Sequence, residues 1–181
     1  TGSLSYNYDP NDPSPTVGGP TLRQDLDQGP YDQSDSVENR NDILTFTTVP
    51  MIQDATIVGV VTVHLEITSD KFDTDFCVRM CDVSPTGESM LINDGVYRMR
   101  FRDGFNIADT SNMVPNQHYA VDIELPNTCI TILQGHSLRI DVTSSNYPRF
   151  NRNMNTGQEM YPIPLATAGD TLVNPQIANN T

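Results

Sequence analysis

The chain has 181 residues, 36% hydrophobic and 18% charged, which is enough for one domain with its own core and too few for two large domains. Ten basic residues against 23 acidic ones give a net charge of −13, which excludes nucleic acid as a partner because binding to phosphates depends on Lys and Arg. No apolar run approaches the roughly 18 residues that span a bilayer, so a membrane is excluded as well.

Residues 1–41 are predicted to form an extended arm that lies over another surface. Five of the 13 prolines fall here, among many Asp, Asn and Gly residues, and this composition favours turns and extended backbone over sheet ladders. An arm needs a surface to lie on. If that surface belongs to another domain, the chain alone should expose an apolar patch that includes Tyr6, Tyr8, Val17 and Leu22.

Residues 42–165 are predicted to form an all-β jelly-roll sandwich. From Ala55 to Thr68 every odd position is apolar or Gly, and the even positions include Thr, His and Glu, which is typical of one long strand with one buried face. Shorter stretches repeat the alternation: Leu44/Phe46, Phe76/Val78/Met80, Tyr97/Met99/Phe101, Tyr119/Val121/Ile123/Leu125 and Leu138/Ile140/Val142. Turn sequences separate them: Ser84–Gly87, Asn93–Gly95, Asp103–Gly104 and Gln134–Gly135. The sequence shows no amphipathic helix of three turns. Short alternating strands separated by turns favour a jelly roll, which needs roughly eight strands.

Two later segments differ in composition from the predicted strands. Residues 144–157 are rich in Asn and Ser, whose side chains bond to nearby backbone, so we expect a loop. Residues 166–181 are expected to be a polar tail. The absence of an initiator Met and the polar ending favour a piece of a longer protein.

The three cysteines cannot all pair within the chain. Cys77 and Cys81 lie four residues apart in a predicted strand, which would hold them apart, so we expect free thiols. Free thiols and the absence of a signal peptide in residues 1–19 favour a cytoplasmic location, although secreted domains of this size can also lack disulfides. His64, His118 and His136 show no ligand-like spacing, so no metal or cofactor is predicted.

No catalytic residue is predicted. The nearest approach to a nucleophile elbow is Gly135-His136-Ser137-Leu138-Arg139, which lacks the second glycine and leads into a strand. Pairing Ser137 with His136 is disfavoured because neighbouring strand residues point to opposite faces.

Two charged features leave alternatives open. The segment Asp70–Asp75 could hold calcium, but it lacks the glycine and the terminal glutamate of a twelve-residue calcium loop, so a structural turn is favoured. Alternation would place Arg98, Arg100 and Arg102 on one face of one strand. That face is interpreted as solvated and balanced by cross-strand carboxylates, with docking to an acidic surface as the alternative.

Seven stretches resemble one known family. They follow in register from about Tyr6 to Gly157: Tyr8–Gly19, Gly29–Gln33, Glu38–Asp42, Asp73–Phe76, Asp82–Gly87, Asp94–Arg98 and Gly135–Arg139. Together they resemble the C-terminal domain of the X-Pro dipeptidyl-peptidase and cocaine-esterase (CocE/NonD) group of serine hydrolases.

The resemblance implies a jelly roll related to galactose-binding domains, which follows an α/β-hydrolase domain in the same polypeptide. In that group the catalytic triad belongs to the hydrolase domain, so no catalytic, cofactor or metal residue is transferred to this chain. The expected role is accessory: the domain packs on the catalytic domain and shapes its cleft. Family members usually close with a further short strand, which this chain is expected to lack.

Three points stay open under the resemblance. The motifs do not separate dipeptidyl-peptidases from esterases, and a homo-oligomer is not excluded. The alternative function is a carbohydrate-binding module, in which tyrosines would replace the missing tryptophan as platforms: Tyr6, Tyr8, Tyr31, Tyr97, Tyr119, Tyr147 and Tyr161.

Overall fold

The computed structural model describes residues 2–158 and 176–181, and within them it confirms an all-β sandwich. The strands are β1 Tyr6–Tyr8, β2 Leu44–Thr47, β3 Ala55–Gly59, β4 Thr62–Ile67, β5 Asp75–Val83, β6 Ser89–Arg98, β7 Tyr119–Glu124, β8 Thr128–Ile132, β9 Ser137–Thr143 and β10 Ala178–Asn180. Two short 3₁₀ helices, Met99–Phe101 and Ile107–Asp109, are the helical elements of the described residues.

One layer is a four-stranded antiparallel sheet in the order β2-β9-β5-β6. The last of these strands in the chain, β9, lies between β2 and β5, a Greek-key connection of the kind used in jelly rolls. The inner face of β5 carries the predicted apolar residues Phe76, Val78 and Met80, all fully buried. They therefore form the centre of the hydrophobic core.

The second layer is a kinked two-stranded ribbon in which β3 pairs with β8 and β4 with β7. The alternation from Ala55 to Thr68 predicted the inward face correctly, but the prediction of one continuous strand was wrong. Gly59 has a φ of 110°, a conformation that favours glycine, and the register shifts by one residue beyond it. The pattern alone did not distinguish this glycine from an inward-facing apolar residue.

The outer face of the four-stranded sheet is also buried, because residues 1–41 lie across it. Tyr8 has no exposed surface and Tyr6 is 5% exposed, so the expected exposed patch is wrong for both, although Leu22 is 94% exposed. The Tyr6 hydroxyl bonds to Ser144 Oγ at 2.8 Å, and β1 pairs with β10. The arm therefore covers this sheet of its own chain.

Strand β10 lies within the predicted polar tail. Residues 178–180 pair with β1, and the buried Asn180 side chain donates to Thr74 Oγ1 and Ser144 Oγ. The boundary expected at residue 165 lies outside the described residues. The proposed division into 1–41, 42–165 and 166–181 stays a prediction.

The predicted turn at Asn93–Gly95 is wrong, because these residues continue β6 beyond a β-bulge. Met80 pairs with Asn93 but Cys81 pairs with Leu91, so Ile92 is the extra residue. Gly95 allows the ribbon to approach closely, since a Cβ there would lie 2.9 Å from Leu125 Cδ2. The other three predicted turns lie between elements, and residues 144–157 form the expected loop.

Candidate docking surface

The three arginines do not share one strand face. Strand β6 ends at Arg98, and Arg100 lies in the 3₁₀ helix that follows. Arg98 donates to both carboxylate oxygens of Asp75, at 2.8 and 2.6 Å, and Arg100 donates to Asp73 at 2.6 Å. Both aspartates are buried. The cross-strand carboxylates expected for the arginines are present, but the pairs are largely buried rather than solvated, and the two paired arginines do not form an exposed basic patch.

The same ion pairs explain the acidic segment Asp70–Asp75. Asp73 and Asp75 both accept a hydrogen bond from Asn153 Nδ2 at 2.8 Å, in addition to those from the arginines. Their carboxylates are therefore already satisfied by cationic and amide donors, which supports the structural role over calcium binding.

Arg102 holds the loop between β6 and β7. Its guanidinium donates to the carbonyl oxygens of Met99, Ser111 and Asn112 at 3.0, 2.7 and 3.0 Å. Since a planar guanidinium can bond to several carbonyls at once, one side chain fixes both ends of the loop. This loop is therefore held to the sandwich at its base while its tip projects into solvent.

An aromatic groove of about 310 Å³ lies beside this loop. We define it by its four rings, Tyr97, Phe101, Phe105 and Phe150. The rings of Phe101 and Phe105 are 6.0 Å apart, and the Arg149 guanidinium lies 4.9 Å from the ring of Phe150. Phe105 is 88% exposed. A groove whose loop is held by hydrogen bonds, and which carries an exposed aromatic side chain, is a suitable anchor for another protein surface.

Polar contacts hold the residues next to Phe150 of the aromatic groove. The Asp94 carboxylate accepts hydrogen bonds from Arg149 and, at 2.9 Å, from Asn146, while the Arg149 backbone N–H donates to Thr16 Oγ1 of the arm. Arg98 also donates to the carbonyl of Asn151 at 3.0 Å. The position of Phe150 is thus determined jointly by β6, the loop 144–157 and the arm.

A larger groove, of about 600 Å³, opens between the two layers. Its wall includes Leu44, Phe46 and Leu65, and its floor reaches the core residues Phe76 and Val142. The groove is apolar, but nothing in the described residues indicates what would occupy it.

Glu38, Cys81 and Asp141 bring three ligand-type atoms within 4.8 Å of one another beneath the arm. Glu38 already accepts hydrogen bonds from Arg139 and Ser89. Burial raises the pKa of the Cys81 thiol, which stays protonated and donates to Asp141 at 3.8 Å. These partners favour a structural role for the cluster.

The histidines do not assemble a hydrolase site. His136 Nδ1 lies 2.9 Å from Asp82 Oδ1, and its neighbour Ser137 is a buried residue of β9. In the described residues each of the three histidines contacts carboxylates, and none contacts a serine or cysteine. Cys77, Cys81 and Cys129 are free thiols, as predicted, and the first two are buried.

Sequence reasoning missed one cluster. His64, Glu66 and Asp122 lie together on the outer face of the β4–β7 ribbon, and His118 joins them from the start of β7. The histidines are 54 positions apart, so only the strand register brings them together.

The tyrosines offer little support for a sugar platform. Tyr6 and Tyr8 are buried, Tyr97 and Tyr119 are half-buried, and Tyr161 lies outside the described residues. Tyr31 is exposed, and so is Tyr147, which packs against the Arg152 guanidinium. The described part of the chain also contains no helix long and apolar enough to cross a membrane.

The fold defines the chain as a β-sandwich domain, and comparison with known proteins gives its family. Residues 5–168 match the family described as X-Pro dipeptidyl-peptidase C-terminal non-catalytic domain, and the chain belongs to this family. It is therefore a C-terminal non-catalytic domain of the kind found in larger hydrolases.

Similar proteins are much longer than this chain. Cocaine esterase from Rhodococcus sp. (strain MB1 Bresler) is 35% identical over 153 residues, which are 84% of this chain and 26% of the esterase. An α-amino acid ester hydrolase superposes with a TM-score of 0.79 at 28% identity, and an aminopeptidase from Thaumarchaeota archaeon with a TM-score of 0.78 at 24% identity. Each alignment covers 98% of this chain and 30% of the other. The aminopeptidase, at this identity, shows the fold alone.

Proposed function

We propose that this chain is the accessory domain of an ester-cleaving serine hydrolase and that its aromatic groove docks on the α/β-hydrolase catalytic domain of the same polypeptide. Docked there, the sandwich helps to form the wall of the active-site cleft. The observation that carries the proposal is the aromatic groove, an apolar surface whose base is held by Arg98, Arg102 and Arg149.

The relatives support the partner and the substrate class. Cocaine esterase and the ester hydrolase are named for ester cleavage, and this family of domains occupies only 26% and 30% of their chains. The remaining part of such a protein provides the partner surface. Ester substrates are favoured over X-Pro peptides because the relatives at 35% and 28% sequence identity are both named for ester cleavage.

The energetics of docking favour this groove as an anchor. Interfaces within a chain are often of modest size, so a few buried aromatic residues supply most of the binding free energy. Phe105 is 88% exposed and Ile107, two residues further on, is 87% exposed, and both would lose this surface on docking. Rigid support of the loop by Arg102 reduces the entropy that docking would otherwise cost.

The test is Phe105→Asp in the full-length hydrolase. We expect lower esterase activity, or inactivation at a lower temperature, because the substitution places a charge in an apolar contact. The matched control is Ile52→Asp. Ile52 is 90% exposed and lies next to the β8–β9 turn, at the other end of the sandwich, where Met51 pairs with Gly135 and His136. Equal effects of the two variants would contradict the proposed surface.

A further inference from the structure

We propose that the outer face of the β4–β7 ribbon binds a divalent transition-metal ion of the Zn²⁺ class through His64, Glu66 and His118. Imidazole nitrogen and carboxylate oxygen are the donors that Zn²⁺, Co²⁺ and Ni²⁺ accept in proteins. This site is independent of the docking surface and of the proposed hydrolase role.

Strand pairing creates the cluster. Successive even positions of β4 point to the same face, so His64 and Glu66 are neighbours. Asp122 of β7 lies directly opposite His64, and His118 precedes Tyr119, the residue paired with Ile67. Strand pairing therefore brings four side chains, from β4, β7 and the residue before β7, to one face, although the sequence has no ligand motif.

Glu66 lies within reach of both imidazoles. His64 Nε2 lies 3.3 Å from Glu66 Oε1, and His118 Nδ1 lies 3.1 Å from Glu66 Oε2. In a tetrahedral zinc site with bonds of 2.0–2.2 Å, neighbouring donor atoms are about 3.4 Å apart. Glu66 thus lies between the two imidazoles, each of which meets a different carboxylate oxygen, and the ligand atoms of the three side chains do not all lie within 4.8 Å of one another. These exposed side chains would have to rotate to surround one ion.

Asp122 acts as a positioning residue. Its Oδ1 lies 2.7 Å from Nδ1 of His64, the ring nitrogen that does not face Glu66. A carboxylate on the second nitrogen orients the imidazole, fixes its tautomer and increases its basicity as a ligand, as in many zinc sites. Protons compete with the ion for the imidazole nitrogens at acid pH.

Charge and access also suit a cation. The cluster contains two carboxylates and lies in a protein with a net charge of −13. The four side chains are 55–66% exposed, so an ion can enter and water can complete its coordination.

The experiment is calorimetric titration of the 181-residue chain with ZnCl₂ at pH 7.5, together with the visible spectrum of bound Co²⁺. All proteins carry Cys129→Ser, because an exposed thiol is itself a zinc ligand. We expect one ion per chain and Co²⁺ d–d bands of a site with nitrogen ligands. We also expect the affinity for Zn²⁺ to fall at acid pH, where protons occupy the imidazole nitrogens.

The variants separate a site from general attraction of cations to acidic surface. His64→Ala and His118→Ala are expected to abolish the Co²⁺ bands, and Asp122→Asn to weaken binding by about 10–100-fold. Glu124→Gln removes one carboxylate from the same exposed face of β7 outside the cluster, and His136→Ala removes a distant histidine. Both controls should bind as the parent does. The proposal is overturned if the parent binds no Zn²⁺ at 1 mM, or if Glu124→Gln weakens binding as much as His64→Ala does.

Discussion

Replacing Asp75 with Ala is expected to lower the free energy of unfolding by about 3–5 kcal/mol, the cost of leaving one partner of a buried ion pair alone. Asp75 is 1% exposed and accepts two hydrogen bonds from Arg98 and one from Asn153. Without it the Arg98 guanidinium would stay largely enclosed and uncompensated. The measurement is urea unfolding followed by circular dichroism and tyrosine fluorescence, since the chain has no tryptophan.

Asp25→Ala is the matched control for this variant. Asp25 forms an equally short ion pair with Arg23, at 2.6 Å, but the two side chains are 64% and 44% exposed. Exposed pairs contribute little because water and salt screen them, so the unfolding midpoint should not move measurably. Similar losses in the two variants would show that burial of the Asp75–Arg98 pair is not what stabilises this end of the sandwich.

Replacing Asp141 with Asn is expected to stabilise the domain at pH 8 and to change little at pH 4. Burial, and then the charge of Glu38, raises the pKa of Asp141 to about 7. The folded state holds this proton more tightly than the unfolded state does. The stabilisation that protonated Asp141 gives the folded state is therefore fully present below about pH 4 and is lost as the pH rises to about 7. The loss amounts to at most about 4 kcal/mol for a shift of this size. Asn is neutral at every pH, so the variant does not undergo this loss of stability.

Desolvation at Asp141 is opposed by the charges of Arg79 and Arg139, which lower its pKa. Its Oδ1 is buried without a hydrogen-bond partner, and Arg79 Nη1 on the paired strand is likewise unpartnered. Urea unfolding of both proteins at pH 4, 6 and 8 measures the effect, with the exposed Glu124→Gln as the control for net charge. Destabilisation of Asp141→Asn at pH 8 would mean that the carboxylate is ionised there and stabilised by Arg79.

The sequence predicted strand faces well because alternation reports burial directly. Phe76, Val78 and Met80 on β5, and Val121, Ile123 and Leu125 on and just after β7, all lie in the core, as their spacing indicated. Alternation predicts which side a residue faces, but it carries no information on backbone φ. The kink at Gly59 and the bulge at Ile92 were therefore missed.

The surroundings of the sheet were harder to predict. A proline-rich arm has no periodicity, so nothing local indicated that Tyr6 and Tyr8 would be buried on the outer face of the sheet. Arg98 and Arg100 were expected on a solvated face, but their partners Asp75 and Asp73 lie more than 20 positions away and are buried. Such pairings depend on strand register, which only the assembled sheets reveal.

The most direct test of the accessory role is a calorimetric titration of this chain with the separately produced catalytic domain of the same polypeptide. We expect saturable binding by the parent chain, binding weakened at least tenfold by Phe105→Asp, and binding unchanged by Ile52→Asp. Ester hydrolysis should come from the catalytic domain and increase when this chain is added, while this chain alone should release no product. No binding, together with full activity of the catalytic domain by itself, would contradict the account.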